Sequence, residues 1–129
     1  MEKISKLELN NLRNLYLKGT RVKLLKMEDK QAPPIGTKGT VIGVDDIGSI
    51  MVAWDNGSHL SVVYGEDECK LVISDLLKEQ IEKVRTSGKC NMLDIKSVQF
   101  IANQMNLHEL VILIEEERDE YIHYLFHQN

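Results

Sequence analysis

Residues Gly36–Ser61, GTKGTVIGVDDIGSIMVAWDNGSHLS, contain three short apolar runs separated by two turn signals. The first signal is Asp46–Gly48, where glycine accepts a positive φ, and the second is Asp55–Gly57. Asn-Gly between strand residues favours a type I′ hairpin, because both central residues must adopt positive φ. The stretch therefore predicts an antiparallel β-meander, and we expect a small barrel to close around it.

The segments on either side of this meander add further strands. Val22 and Leu24 alternate with Arg21 and Lys23, which is typical of a strand with one buried face. The predicted strands are 20–27, 39–44, 49–54, 58–63 and 69–73. Five short strands with a long first loop and two tight hairpins indicate an SH3-like barrel, with an OB barrel as the alternative.

Helical periodicity precedes and follows the predicted barrel. Residues 2–18 carry an apolar stripe of Ile4, Leu7, Leu12, Leu15 and Tyr16, which Gly19 ends as a left-handed cap. The C-terminal part predicts three amphipathic helices, the third reaching Leu125. Their capping residues are Ser74 and Gly88, then Asn91 with Asp94, then Asn106 with Glu109. We therefore predict an α+β fold with an N-terminal helix at 1–19, a five-stranded SH3-like β-barrel at 20–73 and a three-helix subdomain at 74–129.

The charge distribution excludes some function classes. The net charge is −4, and residues 74–129 account for all of it. An acidic helical part without a basic tract argues against nucleic acid as the main partner. Two cysteines are too few for a disulfide scaffold or a four-cysteine zinc site. No apolar run approaches ~20 residues and the N-terminus is charged, so we expect a cytoplasmic protein without a membrane span.

Five residues are candidate ligand contacts on one edge of the barrel: Arg21, Lys23, Trp54, Asn56 and Tyr64. The two aromatic side chains suit stacking on a base, which contributes ~1–3 kcal/mol per base. The two cations suit a phosphate, arginine through its bidentate fork. The alternatives are that Trp54 fills the end of the barrel and that the cations form a solvated strand face.

No catalytic residue, metal ligand or cofactor is predicted. Asp45 and Asp46 are adjacent carboxylates, but their position at a turn favours a role as turn formers. His123 and His127 have the i, i+4 spacing of metal ligands without an obvious third ligand. Cys69 and Cys90 have no basic or histidine neighbour pattern that marks a nucleophile. These signals favour a protein that binds rather than an enzyme.

Two parts of the chain resemble known domain families. The segment RVKLLKMEDKQAPPIGTKGTVIGVDDIGSIMVAWDNGSHLSVVYGEDECKLV, residues 21–72, resembles small barrel domains of unknown function that are common in phages and mobile elements. The segment EQIEKVRTSGKCNMLDIKSVQFIANQMNLHELVILIEEERDEYIHYL, residues 79–125, is similar to a second phage domain of unknown function. The resemblance implies a phage or prophage origin and a barrel-plus-helices architecture, and it supplies no catalytic residue.

These observations lead to a functional hypothesis with one alternative. We expect a phage-encoded, non-enzymatic protein that sequesters a nucleotide-derived immune signal in the cytoplasm of the infected bacterial host. We expect it to form a homo-oligomer through its amphipathic helices, which fit either their own barrel or that of a neighbouring copy. The alternative is a protein- or nucleic-acid-interaction adaptor built on the barrel.

Overall fold

The computed structural model describes residues 3–127, which form two compact units that divide between Val72 and Ile73. The first contains α1 (Lys6–Leu15), β1 (Arg21–Lys26), β2 (Lys38–Val44), β3 (Ile50–Trp54) and β4 (Glu68–Leu71). The second contains α2 (Asp75–Ser87), α3 (Ile95–Gln104), α4 (His108–Glu116) and α5 (Arg118–Phe126). We refer to them as the sheet unit and the helical unit. None of the helices within residues 3–127 is long and apolar enough to cross a membrane.

The sheet unit is a four-stranded antiparallel sheet in the order β3-β2-β1-β4, and the sheet does not close. The strand predicted at 58–63 is absent from it, since the pairing there is a single bridge between Ile50 and Val62. Local side-chain bonds take the place of a ladder. The Ser58 hydroxyl accepts from the Leu60 N–H at 3.3 Å, and the Leu60 carbonyl accepts from the Trp54 indole at 2.8 Å.

One face of the sheet carries the core of this unit. The alternation predicted for β1 is present, with Val22 and Leu24 fully buried. The buried cluster consists of Val22, Leu24, Val41, Ile50, Val52, Trp54 and Val62. Gly39 makes this packing possible, because a Cβ there would lie 2.6 Å from Val52 Cγ1 and 2.8 Å from Trp54 Cε3. A glycine on β2 therefore lets the indole lie directly against the strand.

The two hairpin turns of the sheet unit have the same backbone structure. In Asp45–Ser49 and in Trp54–Ser58 the first N–H donates to the fifth carbonyl, and the fourth N–H donates to the first carbonyl. The fourth residue is Gly48 or Gly57, with φ of 85° and 94°. Asn56 has no positive φ, so the predicted type I′ turn is wrong. The pattern is a three-residue loop in which a left-handed glycine follows a type I turn.

The N-terminal helix is shorter than predicted and carries its apolar contacts on two residues. Leu12 and Tyr16 pack against the sheet core, whereas the side chains of Leu7 and Leu15 are exposed. Ser5 is the N-cap, and its hydroxyl accepts from the Glu8 N–H at 3.1 Å. The helix ends at Leu15, so Gly19 does not cap it directly.

The described part of the helical unit, residues 73–127, has four helices, because the predicted third helix is interrupted. Glu117 has φ −137° and ψ 52°, which separates α4 from α5. The predicted caps Ser74 and Gly88 of α2 are confirmed, and Asp94 caps α3 through the Ser97 N–H. The buried side chains come from all four helices: Ile81, Val84, Val98, Ala102, Leu110, Leu113, Ile114 and Tyr121.

The predicted cap of α4 is wrong, and a residue of α2 replaces it. Asn106 has φ 61° and lies before the N-cap Leu107, which makes no side-chain capping bond. The buried Gln80 side chain instead accepts from the Leu110 N–H at 2.9 Å and donates to Glu109 at 2.7 Å. This amide thereby satisfies an N–H that every helix leaves without an intrahelical acceptor. Its hydrogen bond also lowers the pKa of Glu109.

Candidate functional site

Trp54, the predicted stacking residue, lies in the core of the sheet unit. Its side chain is 3% exposed and its indole N–H is used by the Leu60 carbonyl. An indole buried to this degree offers no open ring face to a base. The structure thus places Trp54 where the alternative interpretation had it, as a core residue.

Arg21 forms a bidentate ion pair at the hairpin between β3 and residue 58. Its Nη1 and Nη2 donate to Asp55 Oδ1 and Oδ2 at 2.8 and 2.6 Å, and Nη1 also donates to Thr40 Oγ1 at 3.0 Å. The hydrogen bond from Arg21 holds the pKa of Asp55 below its usual value. Asn56 is exposed in the same turn, where its side chain accepts from the Ser58 N–H at 3.0 Å. The guanidinium fork is therefore engaged by a carboxylate of its own unit.

Lys23 lies in the middle of a row of cations. Across the sheet it is in register with Lys38 on β2 and Lys70 on β4. Side chains directly opposite on neighbouring strands lie about 5 Å apart at Cβ, so three like charges are placed side by side. This face is opposite to the one that carries Val22 and Leu24. We call the three residues the lysine row.

Tyr64 is separate from these residues and borders a cleft beside α1. Its hydroxyl donates to Glu8 Oε2 at 2.5 Å, which lowers the pKa of that carboxyl. The cleft, here the α1 cleft, has a volume of about 320 Å³. Its wall includes Leu12, Tyr16, Ile50, Val62, Tyr64 and Cys69, followed by the loop 65–68. Of the five predicted contacts, Tyr64 lines this cleft and the other four do not.

A second cleft borders the same loop. It has a volume of about 510 Å³, and we call it the loop cleft. Lys26, Val63, Gly65, Glu66 and Asp67 line both clefts. The loop is held in place because the Asp67 carboxylate accepts from the Val63 N–H at 2.8 Å. The two clefts therefore share one wall, and a hydrogen bond between a backbone N–H and a side-chain carboxylate stabilises it.

Two protonated groups meet inside the α1 cleft. Burial raises the pKa of the Cys69 thiol to about 11, although a hydrogen bond with Tyr16 acts in the opposite direction. Burial also raises the pKa of Tyr16 to about 12, with a further contribution from Cys69. Because the thiolate is the nucleophilic form of cysteine, a thiol with this pKa is a poor nucleophile at neutral pH. Tyr16 and Cys69 thus contribute polarisable, uncharged groups to the lining of the cleft.

The remaining candidates are structural. Asp45 accepts from the Ile47 and Ser49 N–H groups at 3.1 and 2.8 Å, which confirms its role as a turn former. The rings of His123 and His127 are stacked with centroids 4.0 Å apart. Within residues 3–127, no cluster of three or more His, Cys, Asp or Glu side chains is arranged to hold a metal ion.

Sequence analysis missed Tyr16 and Cys69 as site residues. Tyr16 was assigned to an apolar helical stripe, and Cys69 to a strand without a reactive neighbour. The available signal was the alternation of β4, which predicts that Cys69 and Leu71 face inward together. The alternation does not reveal that Tyr16 contacts Cys69, because these two residues are far apart in sequence.

Family models cover almost all of the described chain. Residues 5–72 match a domain of unknown function, DUF4314, and residues 73–127 match a second one, DUF5049. The chain belongs to the DUF4314 family. The expected tandem of two unknown-function domains is therefore confirmed, and every residue lining the two clefts lies in the DUF4314 part. A search of curated proteins found no significant match.

Proposed function

We propose that this DUF4314 protein is a non-enzymatic interaction adaptor whose sheet unit binds a segment of a partner protein in the α1 cleft. One observation carries the proposal: the α1 cleft combines aliphatic side chains with phenol and thiol groups that stay protonated at neutral pH. Such a lining favours binding through contact and hydrogen bonding over nucleophilic chemistry.

The arrangement of the strands supports the same proposal. The final strand β4 pairs with β1, a tight hairpin joins β2 to β3, and Val62 bridges back to Ile50. An SH3-like barrel has this kind of meander, so the strand order supports the proposal that the open sheet unit is related to that class. SH3 domains bind peptide segments in grooves between their loops, and the α1 cleft and the loop cleft both border such a loop.

A peptide selection tests this function on the full chain. Immobilised protein is used to select binders from a displayed library of random twelve-residue peptides. Selected peptides are then tested against two variants on the same helix, Leu12→Trp and Leu15→Trp. Leu12 lines the α1 cleft, so an indole there fills it, whereas the Leu15 side chain is 47% exposed and lies outside the cleft lining.

We expect the selected peptides to lose binding to Leu12→Trp by tenfold or more and to keep it for Leu15→Trp. Circular dichroism and the thermal midpoint establish that both variants fold. Peptides that bind both variants equally, or a selection without enrichment, would remove the α1 cleft as the interaction site.

A second candidate function is sequestration of a nucleotide-derived immune signal of a bacterial host by a phage-encoded protein. The lysine row favours it, because three cations in register suit a phosphate-bearing ligand. The protein is incubated with cyclic and ADP-ribose-type nucleotides, washed and heat-denatured. Recovery of intact nucleotide only after denaturation supports sequestration, altered nucleotide indicates an enzyme, and no retention rejects this candidate.

Association of copies through the helices belongs to the same candidate. Four large apolar side chains of the helical unit are more than half exposed: Leu93, Phe100, Ile112 and Phe126. Exposed apolar side chains of this size are a common feature of association surfaces. Light scattering coupled to gel filtration measures the oligomeric state, and a monomer at all concentrations would reject self-association.

A further inference from the structure

The walls of the two clefts differ in charge from their floor. Among residues 3–127, five carboxylates line them, from Glu28, Asp29, Glu66, Asp67 and Glu68, together with one cation, Lys26. The floor of the α1 cleft is formed by aliphatic groups, among them Leu12, Ile50 and Val62. A ligand that fills both clefts therefore meets an apolar floor and an acidic margin.

This cation does not balance the margin. Lys26 on β1 is in register with Glu68 on β4, so one carboxylate of the five already stands opposite it. Asp67 is fixed by its bond to the Val63 N–H, and Glu66 is exposed beside it. Carboxylates held along a concave, partly apolar surface concentrate the negative potential inside it.

We infer that the occupant of the two clefts is a basic segment of a partner protein, with an apolar side chain in the α1 cleft and neighbouring Lys or Arg side chains on the shared acidic wall. This inference rests on the proposed adaptor function and specifies its partner. The carboxylates complement cationic side chains, and the same carboxylates disfavour acidic peptides and phosphate groups. The volume of about 320 Å³ falls in the range of pockets that enclose a side chain or small ligand.

Three synthetic peptides provide the probes. They share one framework, acetyl-X-Leu-X-X-Leu-X-amide, in which X is Arg, Gln or Glu. We expect the Arg peptide to bind about tenfold or more tightly than the Gln peptide, and the Glu peptide to show no binding by isothermal titration calorimetry. The affinity of the Arg peptide falls as salt is raised, because the contacts on the wall are partly exposed.

Matched charge variants locate the interaction. Glu66→Gln/Glu68→Gln removes two carboxylates from the wall, and Glu79→Gln/Glu116→Gln removes two from the exposed surface of the helical unit. We expect the first pair to weaken the Arg peptide about fivefold, because partly exposed ion pairs are screened by solvent and each contributes modestly. The second pair leaves the affinity unchanged, although the net charge changes equally.

The outcomes separate the inference from the function on which it rests. Equal weakening by both pairs of variants, or equal binding of the Arg and Gln peptides, overturns the basic partner. If either result is found but the library-selected peptides still lose binding to the Leu12→Trp variant, the α1 cleft remains an interaction site for a partner of different charge. If neither the selected peptides nor the Arg peptide depends on Leu12, both proposals fail.

Discussion

The two hairpin turns of the sheet unit have one backbone structure and different side-chain roles. At the first position, Asp45 bonds to the turn itself, whereas Trp54 extends into the core. At the second position, Asp46 and Asp55 each pair with an arginine. The Asp46 side chain is 99% exposed, and the Asp55 side chain is 53% exposed. Because the backbone hydrogen bonds of the two turns are the same, the contribution of each side chain to stability depends on its surroundings.

This comparison teaches that a turn motif specifies geometry but not energy. An exposed ion pair is screened by solvent and contributes little, while a bidentate pair on a half-covered strand contributes more. A residue that faces the core stabilises the fold through the apolar area it buries, independently of the conformation of the turn. Substitutions at equivalent positions of the two turns measure these contributions against each other.

The largest difference is expected at the first turn position. Trp54→Ala should lower the free energy of unfolding by about 3–5 kcal/mol, because it removes a buried ring and leaves a cavity beside Gly39. Trp54→Phe keeps most of the packing and serves as the control. Urea denaturation measures both, and a loss below 1 kcal/mol for Trp54→Ala would show that the ring is not part of the core.

Substitutions at the fourth position of the two turns should differ less in their cost to the free energy of unfolding. Gly57→Ala should cost about 1–2 kcal/mol, since it places a Cβ at φ 94° in open space. Gly48→Ala meets the same strain, and its Cβ would also lie 2.8 Å from Ile4 Cδ1 and 3.4 Å from Tyr64 Cβ. We therefore expect Gly48→Ala to cost about 1 kcal/mol more in thermal unfolding. Equal costs would mean that the segment around Ile4 yields freely.

The next loss of stability is expected on substitution of Asp45. Asp45→Ala removes the acceptor of two backbone N–H groups, those of Ile47 and Ser49, and should cost about 1–2 kcal/mol. Asp45→Asn retains an acceptor oxygen and should recover most of that loss. If both variants lose the same stability in urea, the charge of Asp45 matters rather than its hydrogen bonds.

The smallest measurable effect concerns the ion pairs and depends on pH. Asp55→Asn should cost about 1 kcal/mol at pH 7, a value reduced for the half-exposed carboxyl, and Asp46→Asn should have no measurable effect. The pKa of Asp55 is lower in the folded protein, so the unfolded chain binds the proton first as pH falls. The stabilisation is complete above the ordinary pKa of 3.8 and disappears as pH falls through the lowered value.

Unfolding curves from pH 7 down to pH 2 test this. The stability difference between the parent protein and Asp55→Asn should shrink across the acid range, while that for Asp46→Asn stays near zero. A difference for Asp55→Asn that is constant with pH would contradict the ion pair.

Part of the candidate site was accessible from the sequence. Tyr64 follows the meander directly and was predicted at its edge, and it does line the α1 cleft. Arg21 was predicted to bind phosphate, but the nearest anion is a carboxylate of the adjacent hairpin. The meeting of Tyr16 with Cys69 was inaccessible, because it depends on how α1 lies against the sheet. Residue type and spacing do not predict that Tyr16 and Cys69 lie close together.

The helical unit shows the same division in its caps. Ser74 and Gly88 act on their own helix within four residues, and local sequence predicts such bonds well. Gln80 acts on α4 from another helix, at a separation of 30 residues. A glutamine on α2 looks like a surface residue until the packing of the two helices brings it to the end of α4.

The sequence by itself determined the alternation of β1 to β3, the positions of the two glycine turns and the amphipathic stripes of α2 and α3, because these follow from backbone geometry over a few residues. Tertiary structure decided that Trp54 turns into the core and that a cleft opens beside α1. Each of these outcomes is a competition between distant groups for the same hydrogen bond or the same volume. Such a competition has no signature in local sequence, because its result depends on which groups the fold brings within a few ångströms.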